Sequence, residues 1–509
     1  MIRGMNQIMH STALRVPGSL NREFRILIGG EWKNSQSGEF FTIHDPFSRE
    51  DWGKVPVCGP AEADQAVTAA RRAFDEGEWP KLPAATRAKV LRKFADLIRE
   101  NADELALMQT LENGKLLKET RGGIDWLAQQ CEYSGALAET VQGATINTGI
   151  PNLFTYTLRQ PLGVVAAITP WNSPLGLLGF KLFPALAAGC TVVVKPSEFT
   201  PASTLRLLEL AEPAGIPAGV VNVVTGMGDV GAALVSHPGV DKIVFTGATQ
   251  TGAKIAAAAG ERLVPTSLEL GGKSPNIVFS DADLEQAVHG VLGGIFVASG
   301  QTCVAGSRVL VEKNIYDDFL SRMVQVTEGL KLGDPLDPAT QLGPIANQPQ
   351  FEKIMKSITG GLESGFRLLA GGGAPSVDPA LGRGLFIEPT IFADVDNASS
   401  LATEEIFGPV ASVIPFEGVD EALAIGNDTR FGLASGVWTQ NMSRAQRMIR
   451  DLRAGTVWVN TYRAAHHYVP FAGHKQSGLG RELGVEAVEE FTDIKSVWHD
   501  YGNQQLFGR

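Results

Sequence analysis

The stretch GVVAAIT (163–169) is short, continuously apolar, rich in valine and isoleucine, and followed by Pro170. A strand with one wet face alternates polar and apolar residues, so an unbroken apolar run of this length reads as a strand buried on both faces. The same signature returns downstream. A helix-like run covers 180–188, TVVVKPS (191–197) is a second such strand, and PASTLRLLELAEPAG (201–215) reads as a helix closed by a glycine. VVNVVTG (220–226), a helix after Gly228, KIVFTG (242–247) and a helix over 250–259 continue the series. Doubly buried strands alternating with helices predict a parallel α/β sheet. Sheets of this kind bind ligands beyond the carboxyl ends of their strands. Those ends carry Trp171, Asn172, Lys195, Glu198, Gly226, Thr246 and Gly247, which predicts a cofactor site there.

Upstream, 61–112 reads as helical, with Val67, Ala70 and Phe74 on one face and Val90, Phe94, Leu97 and Ile98 on another. At 153–158 apolar and polar residues alternate, the pattern of an extended arm or edge strand with no partner nearby in sequence. Downstream of Gly271-Gly272 a second α/β region runs through SPNIVFS, SRVLVEK, GPVASVIPF and GTVWVN, and 483–505 reads as a short helix and strand. The expected organisation is a disordered tail at 1–22, a first α/β domain from 23–145 and 162–270, a second from 271–482, and an arm from 146–161 with 483–509.

At 509 residues the chain exceeds what one core organises. Lys plus Arg total 44 against 55 Asp plus Glu, a formal charge of −11, with no basic block, so a nucleic-acid partner is not expected. The four cysteines, Cys58, Cys131, Cys190 and Cys303, form no CxxC pair. Neither a metal site nor a disulfide framework is indicated, and a reducing, cytoplasmic setting fits. Two uncharged runs, between Arg159 and Lys181 and between Glu285 and Arg308, are interrupted by prolines or glycines, so no membrane span is expected. The N-terminal 22 residues hold Arg3, Arg15 and Arg22 and no acid before Glu23, a faint transit-peptide composition without an amphipathic pattern.

Several residues carry chemistry, each with a plainer reading beside it. Cys303 in SGQTCVAGSRVLV (299–311) has only small or polar neighbours, as a reactive thiol needs, although a small buried thiol has the same surroundings. Glu269 lies between Leu268 and Leu270, where burial would raise its pKa and make it a base near neutrality; otherwise it is a solvated strand-end acid. Asn172 in ITPWNSPLG can donate to an oxyanion or simply shape a turn. Lys195 and Glu198 can hydrogen-bond ribose hydroxyls or form an exposed pair. In FTGATQTG (245–252), Gly247 and Gly252 sit at a strand-to-helix junction that can receive phosphate, although G-x-G-x-x-G is absent from these strand ends.

Taken together, PWNSP, KPSEFTP, FTGATQTG, LELGGKSPNIVFSDADL, GQTCVAGSRVLV, EEIFGPV, FGLASGVWT and PFAGHKQSGLGRE resemble the aldehyde dehydrogenase superfamily in order and spacing over about residues 25–500. The resemblance implies a Rossmann-type NAD domain, a catalytic domain and a small β oligomerisation arm. It implies Cys303 as nucleophile, Glu269 as general base, and Asn172 with the Cys303 backbone N–H as the oxyanion hole. It places Lys195 and Glu198 on the adenosine ribose, with Ile168, Trp171 and Gly228 lining that part of the cleft. Thr246, Gly247, Ala248 and Gly252 fall on the phosphate loop, and Gly271, Glu405 and Phe407 toward the nicotinamide. Lys181 and Glu482 match a proposed proton path. The implied reaction oxidises an aldehyde to the acid through a cysteine thiohemiacetal and thioester, with NAD preferred over NADP, in a homotetramer or homodimer.

The sequence departs from the common pattern in places. Ala248 replaces a serine in the phosphate loop, and Ala472 a glycine. Ser173 and Ala465 stand where aromatics are frequent, while His466, His467 and Tyr468 fall near the pocket mouth, with Phe471 behind and Phe180 and Thr302 on the wall. That predicts a wider, more polar pocket for a cyclic, hydroxylated or amide-bearing aldehyde or its lactol, unless the histidines belong to a solvated loop. Two other readings are a CoA-acylating semialdehyde dehydrogenase and an inactive member kept as a binding or structural protein. Retention of Glu269 argues against the first, and of Cys303 and Glu269 against the second.

Overall fold

The computed structural model describes Leu20, residues 22–376, Leu381 and residues 383–502. The tail expected at 1–22 lies outside them except for Leu20, which is buried, and Arg22, which pairs with Glu209. Residues 503–509 of the expected C-terminal tail also lie outside.

The run GVVAAIT becomes the strand Val164–Ile168, buried at every position, as are Thr191–Lys195 and Lys242–Thr246. These strands pair in parallel in the order Thr266–Glu269, Lys242–Thr246, Val164–Ile168, Thr191–Lys195, Val221–Val223. The chain moves outward from Val164–Ile168 in one direction and then returns to its other side with Lys242–Thr246. That reversal opens a crevice at the carboxyl ends of those two strands, where such folds hold ligands. Antiparallel strands close both edges: Ile26–Ile28 with Glu31–Lys33 on one side, Gly478–Leu479 on the other. The last of these comes from within 271–482, so that stretch contributes to both sheets.

The second sheet begins after Gly271-Gly272, as expected. Its order is Arg367–Ala370, Thr390–Ala393, Val410–Phe416, Arg308–Glu312, Pro275–Val278, Ala434–Trp438, Thr456–Val459, parallel except at the first edge.

The helical reading of 61–112 resolves into Pro60–Asp75, Ala84–Glu100 and Ala102–Asn113, followed by Leu117–Ala138. The single helix expected over 201–215 breaks into Ala202–Leu208 and Ala211–Ala214. Pro213 has no N–H to return to the Glu209 carbonyl, and Gly215 at φ +102° ends the second piece.

The arm does have a partner, and here the reading of an unpaired strand is corrected. Leu153–Pro161 pairs antiparallel with the C-terminal strand Thr492–Asp500 of the same chain, register Leu153↔Asp500 to Pro161↔Thr492. Locality hid this, because the parallel strands of both α/β regions lie between the two halves in sequence. Thr145–Ile146 covers the other edge of Leu153–Pro161, so Thr492–Asp500 keeps one edge open. Phe154 and Leu158 are exposed on one face of this sheet, Ile494 and Trp498 on the other. Among the described residues, no helix is long and apolar enough to cross a membrane.

Candidate active site

Cys303 sits in the loop between the helix Leu284–Phe296 and the strand Arg308–Glu312. The loop is bent by three consecutive left-handed residues, Ala298 (φ 57°), Ser299 (φ 53°) and Gly300 (φ 72°). A side chain at Gly300 would run into the Gly408 carbonyl, so only glycine lets the loop lie against that segment. Ser299 Oγ donates to the Gly343 carbonyl at 2.7 Å, and Gln301 Oε1 accepts from the Ala346 N–H at 2.9 Å. Left-handed alanine and serine are costly, and here these bonds hold them. Cys303 is the only partly exposed thiol of the four; Cys58, Cys131 and Cys190 are buried. Burial, then the Glu405 and Glu269 carboxylates, push its pKa up to about 12, while the Arg463 guanidinium pulls the other way.

Glu269 ends the strand Thr266–Glu269 and is buried. Neither carboxylate oxygen has a hydrogen-bond partner among the described residues. Burial raises its pKa well above the usual carboxylate range, and the Glu482 carboxylate adds to this; Lys181 opposes both. The sequence expectation of a raised pKa from apolar flanks therefore has a second cause, a neighbouring acid. Lys181 is buried on the helix Pro174–Ala188 and donates to Glu482 Oε1 at 2.5 Å and to Thr246 Oγ1 at 2.6 Å. Lys181 thus holds the Glu482 carboxyl directly and acts on the Glu269 carboxyl through its charge. Thr246 thus turns its hydroxyl to Lys181, a use that the phosphate-loop expectation did not include.

Asn172 is buried, and its side-chain Nδ2 donates to the Gln301 carbonyl at 3.1 Å. One amide hydrogen is thereby tied to the nucleophile loop and the other remains available to an oxyanion. Its neighbour Ser173 accepts at Oγ from Lys115 Nζ at 2.5 Å.

The remaining cofactor candidates line the crevice. Lys195 is buried, spends one hydrogen bond on the Pro196 carbonyl at 3.1 Å, and burial lowers its pKa. Glu198 is half-buried and accepts from Ser197 Oγ at 3.3 Å. A side chain added at Gly228 would meet nothing, and one at Gly231 would touch Lys195 and Ile168, so backbone, lysine and isoleucine bound one space. The helices Gly228–Ser236 and Thr249–Glu261 begin here without side-chain caps, at Met227 and Ala248. Spare ammonium protons, a carboxylate and two uncapped helix starts are a donor set that fits a dinucleotide. Gly247 and Gly252 allow close packing, since a side chain would strike Phe245 and Leu270 respectively. Toward Cys303, Glu405 Oε1 accepts from the Gly272 N–H at 3.0 Å, and a side chain at Gly271 would collide with Glu405 Oε2. Phe407, at φ 61°, meets the Trp171 ring edge-on at 5.3 Å.

The pocket mouth is more aromatic than expected. Ser173 and Ala465 do lack rings, but Trp126 packs on Phe180 at 5.2 Å and on His467 at 6.1 Å, and Tyr133 packs on His467 and Tyr468. His467 is buried, with Nδ1 unpartnered among the described residues, and burial lowers its pKa. His466 and Ala465 are exposed, while Thr302 and Phe471 are half-buried.

The sequence model of the aldehyde dehydrogenase family matches residues 32–497. The chain belongs to the aldehyde dehydrogenase family. It is 42% identical to betaine aldehyde dehydrogenase of Bacillus subtilis, over 93% of this chain and 97% of that one. It is equally 42% identical to the (Z)-2-((N-methylformamido)methylene)-5-hydroxybutyrolactone dehydrogenase of Acinetobacter baylyi, over 95% and 98%. An NAD-dependent aldehyde dehydrogenase from Sinorhizobium meliloti superposes with a TM-score of 0.93 at 40% identity, covering 96% of each chain. The parallel-sheet α/β architecture is therefore that of the family, and the chain is an oxidoreductase of aldehydes.

Five groups near the site escaped the sequence reading. Trp126 and Tyr133 lie seven apart on the helix Leu117–Ala138, a shared helical face that periodicity could have revealed. Lys115 follows a helix terminator, Gly114 (φ 75°), and Arg463 follows Tyr462 in a loop; no periodicity marks either. Tyr462 donates its hydroxyl to the Val304 carbonyl at 2.9 Å, beside the nucleophile.

Proposed function

We propose that the chain oxidises an aldehyde to the carboxylic acid with NAD as acceptor, through a thioester on Cys303. The observation that carries this is the meeting of three groups: a partly exposed thiol on a strained loop, an Asn172 amide tied to that loop, and a buried, unpartnered Glu269 carboxyl. The Cys303 thiol gives up its proton to solvent as its sulfur bonds to the carbonyl carbon, and the oxygen takes the electron pair and accepts from Asn172 and the Cys303 N–H. A nicotinamide held by Glu405 and Phe407 would supply the hydride acceptor. Loss of hydride from the former carbonyl carbon leaves a thioester on Cys303. Glu269 takes a proton from water, whose oxygen attacks that carbon; the C–S bond breaks and the acid departs. Lys181 and Glu482 then carry the proton from Glu269 away.

The substrate in this reading is a polar, cyclic, hydroxylated or amide-bearing aldehyde or lactol. Ringless side chains at 173 and 465 support it, and so does the lactone-like compound in the name of the Acinetobacter relative. A panel of aliphatic, cyclic and polar aldehydes with NAD and NADP, ranked by kcat/KM and run with and without CoA, tests the proposal. Plain aliphatic aldehydes ranking first would remove the substrate class, and a CoA requirement would remove the hydrolytic step.

NAD is expected to be preferred over NADP because Glu198 can accept from ribose hydroxyls and repels a 2′-phosphate. Like charges at close range in a half-dry cleft cost on the order of a few kcal/mol. Glu198→Gln should narrow the preference by roughly tenfold or more; an unchanged NAD/NADP ratio would show that Glu198 does not set it.

We also propose a homodimer or homotetramer assembled through the arm sheet, in a reducing, cytoplasmic setting that suits four free cysteines. An open nine-residue edge with exposed Ile494 and Trp498 is a surface that a second copy would cover. Deleting everything from 484 is too coarse a test, since Val488 and Phe491 are buried in the first domain's core and Glu490 pairs with Lys242. Ile494→Asp with Trp498→Glu is the sharper change. Light scattering should then report a smaller assembly with NAD binding retained; an unchanged mass would place the contact elsewhere.

A further inference from the structure

Two cations that the chemistry above leaves unused lie close to Cys303. Lys115 sits half-buried and gives a hydrogen bond to Ser173 Oγ at 2.5 Å, next to the oxyanion donor Asn172. Arg463 is also half-buried, and its Nη1 is buried without a partner among the described residues. It holds φ 63°, a bend that follows directly on Tyr462, whose hydroxyl grips the residue after Cys303. One cation is therefore anchored to the residue after Asn172, and the other to the strand end gripping the nucleophile loop. Both feel the Cys303 sulfur and each other.

Glu119 is the carboxylate acting on both. Its oxygens are already engaged, Oε2 by the Leu116 N–H at 3.2 Å and Oε1 by the Ala298 N–H at 3.1 Å. It offsets one positive charge and leaves the other. Burial of an under-compensated cation is costly, and the cost falls when an anion arrives. The lysine shows that cost: burial pulls its pKa down to about 8, and a bound anion would raise it again.

We infer that Lys115 and Arg463 form an anion-recognising pair beside Cys303, and that the preferred substrate is an aldehyde bearing a carboxylate. This rests on the aldehyde-oxidising reading above and sharpens its polar substrate. Arg463 supplies the planar fork suited to a carboxylate and Lys115 a point charge. A quaternary-ammonium aldehyde would meet two like charges, whatever the aromatic rings of Trp126, Tyr133 and Tyr468 offer it.

The test uses the full chain with NAD and three probes: 4-oxobutanoate, butanal and betaine aldehyde. The expected kcat/KM for 4-oxobutanoate exceeds that for butanal about tenfold or more, with betaine aldehyde lowest. The ratio of 4-oxobutanoate to butanal should collapse in Arg463→Gln and Lys115→Met and be largely kept in Arg463→Lys. A wild-type preference for butanal or betaine aldehyde overturns the proposal, as does a ratio unmoved by both charge-removing variants. A second measurement needs neither turnover nor a variant. Cys303, the one partly exposed thiol, is alkylated with iodoacetate or iodoacetamide and followed by intact mass. Relative to free cysteine the wild type should favour the anionic reagent, and succinate and added salt should erase that bias. A ratio equal to that of free cysteine overturns the pair, because a change in thiol acidity alone would move both reagents together. No NADH from any of the three probes counts against aldehyde oxidation itself, and the alkylation ratio then decides the pair independently.

Discussion

Cys303→Ala should abolish aldehyde oxidation while NAD still binds. Alanine keeps the loop's small contour, and the Ser299, Gln301 and Asn172 bonds that fix the loop do not involve the sulfur. What disappears is the covalent bond to substrate that the proposed mechanism requires. Removing a covalent nucleophile leaves transition-state binding by the oxyanion donors alone, and the loss is at least about a thousandfold in kcat/KM. NADH production measures the first half of the expectation, and protein-fluorescence quenching on NAD addition the second. Near-normal turnover would show that the chemistry runs through another group. Lost NAD affinity would mean that the thiol also supports the crevice.

Glu269→Gln is expected to split the reaction in time. An amide of the same shape cannot take a proton from water, but it leaves the thiol, Asn172 and the crevice unchanged. The first turnover should therefore deliver NADH near one equivalent per site, followed by a steady state slower by about a hundredfold or more. The pH profile follows from the same carboxyl. Its pKa is raised by burial and by Glu482, so it holds its proton at a pH where an ordinary glutamate has lost it. A protonated base cannot activate water, so wild-type deacylation should fall as pH is lowered through that raised value and rise with pH across the neutral range. In Glu269→Gln this limb should vanish from the slow phase. A slow first turnover without a burst would mean that Glu269 acts earlier, on the Cys303 proton, which its electrostatic coupling to the thiol makes the natural second role.

The sheet was legible in the sequence because doubly buried parallel strands carry their signature in every residue, as in Val164–Ile168 and Thr191–Lys195. The residues at the strand ends were legible as a group for the same reason: once the strands are placed, Trp171, Asn172, Lys195 and Thr246 have nowhere else to be. What stayed hidden is long-range or conformational. No local pattern announces that Leu153–Pro161 pairs with Thr492–Asp500, or that Gly478–Leu479 closes the first sheet. The left-handed turn at Ala298-Ser299 contradicts the preference of both residues and exists because distant carbonyls and amides hold it. Lys115 and Arg463 look like ordinary loop cations until the fold places both beside one thiol. The histidines at 466 and 467 were read as polar, but packing against Trp126 and Tyr133 makes His467 part of an aromatic wall.

The pairing of Leu153–Pro161 with Thr492–Asp500 also governs how the polypeptide matures on the ribosome. Both central sheets can acquire most of their strands as synthesis proceeds, since neighbours in space are mostly neighbours in sequence. Gly478–Leu479 and Thr492–Asp500 are the exceptions, and both emerge last. Until they do, the nascent chain carries two uncovered strand edges, at Thr266–Glu269 and at Leu153–Pro161, and the proton relay proposed through Lys181 lacks Glu482. A chain stalled or cut short near its end is thus catalytically incomplete and sticky at once, the combination that chaperones and proteases recognise.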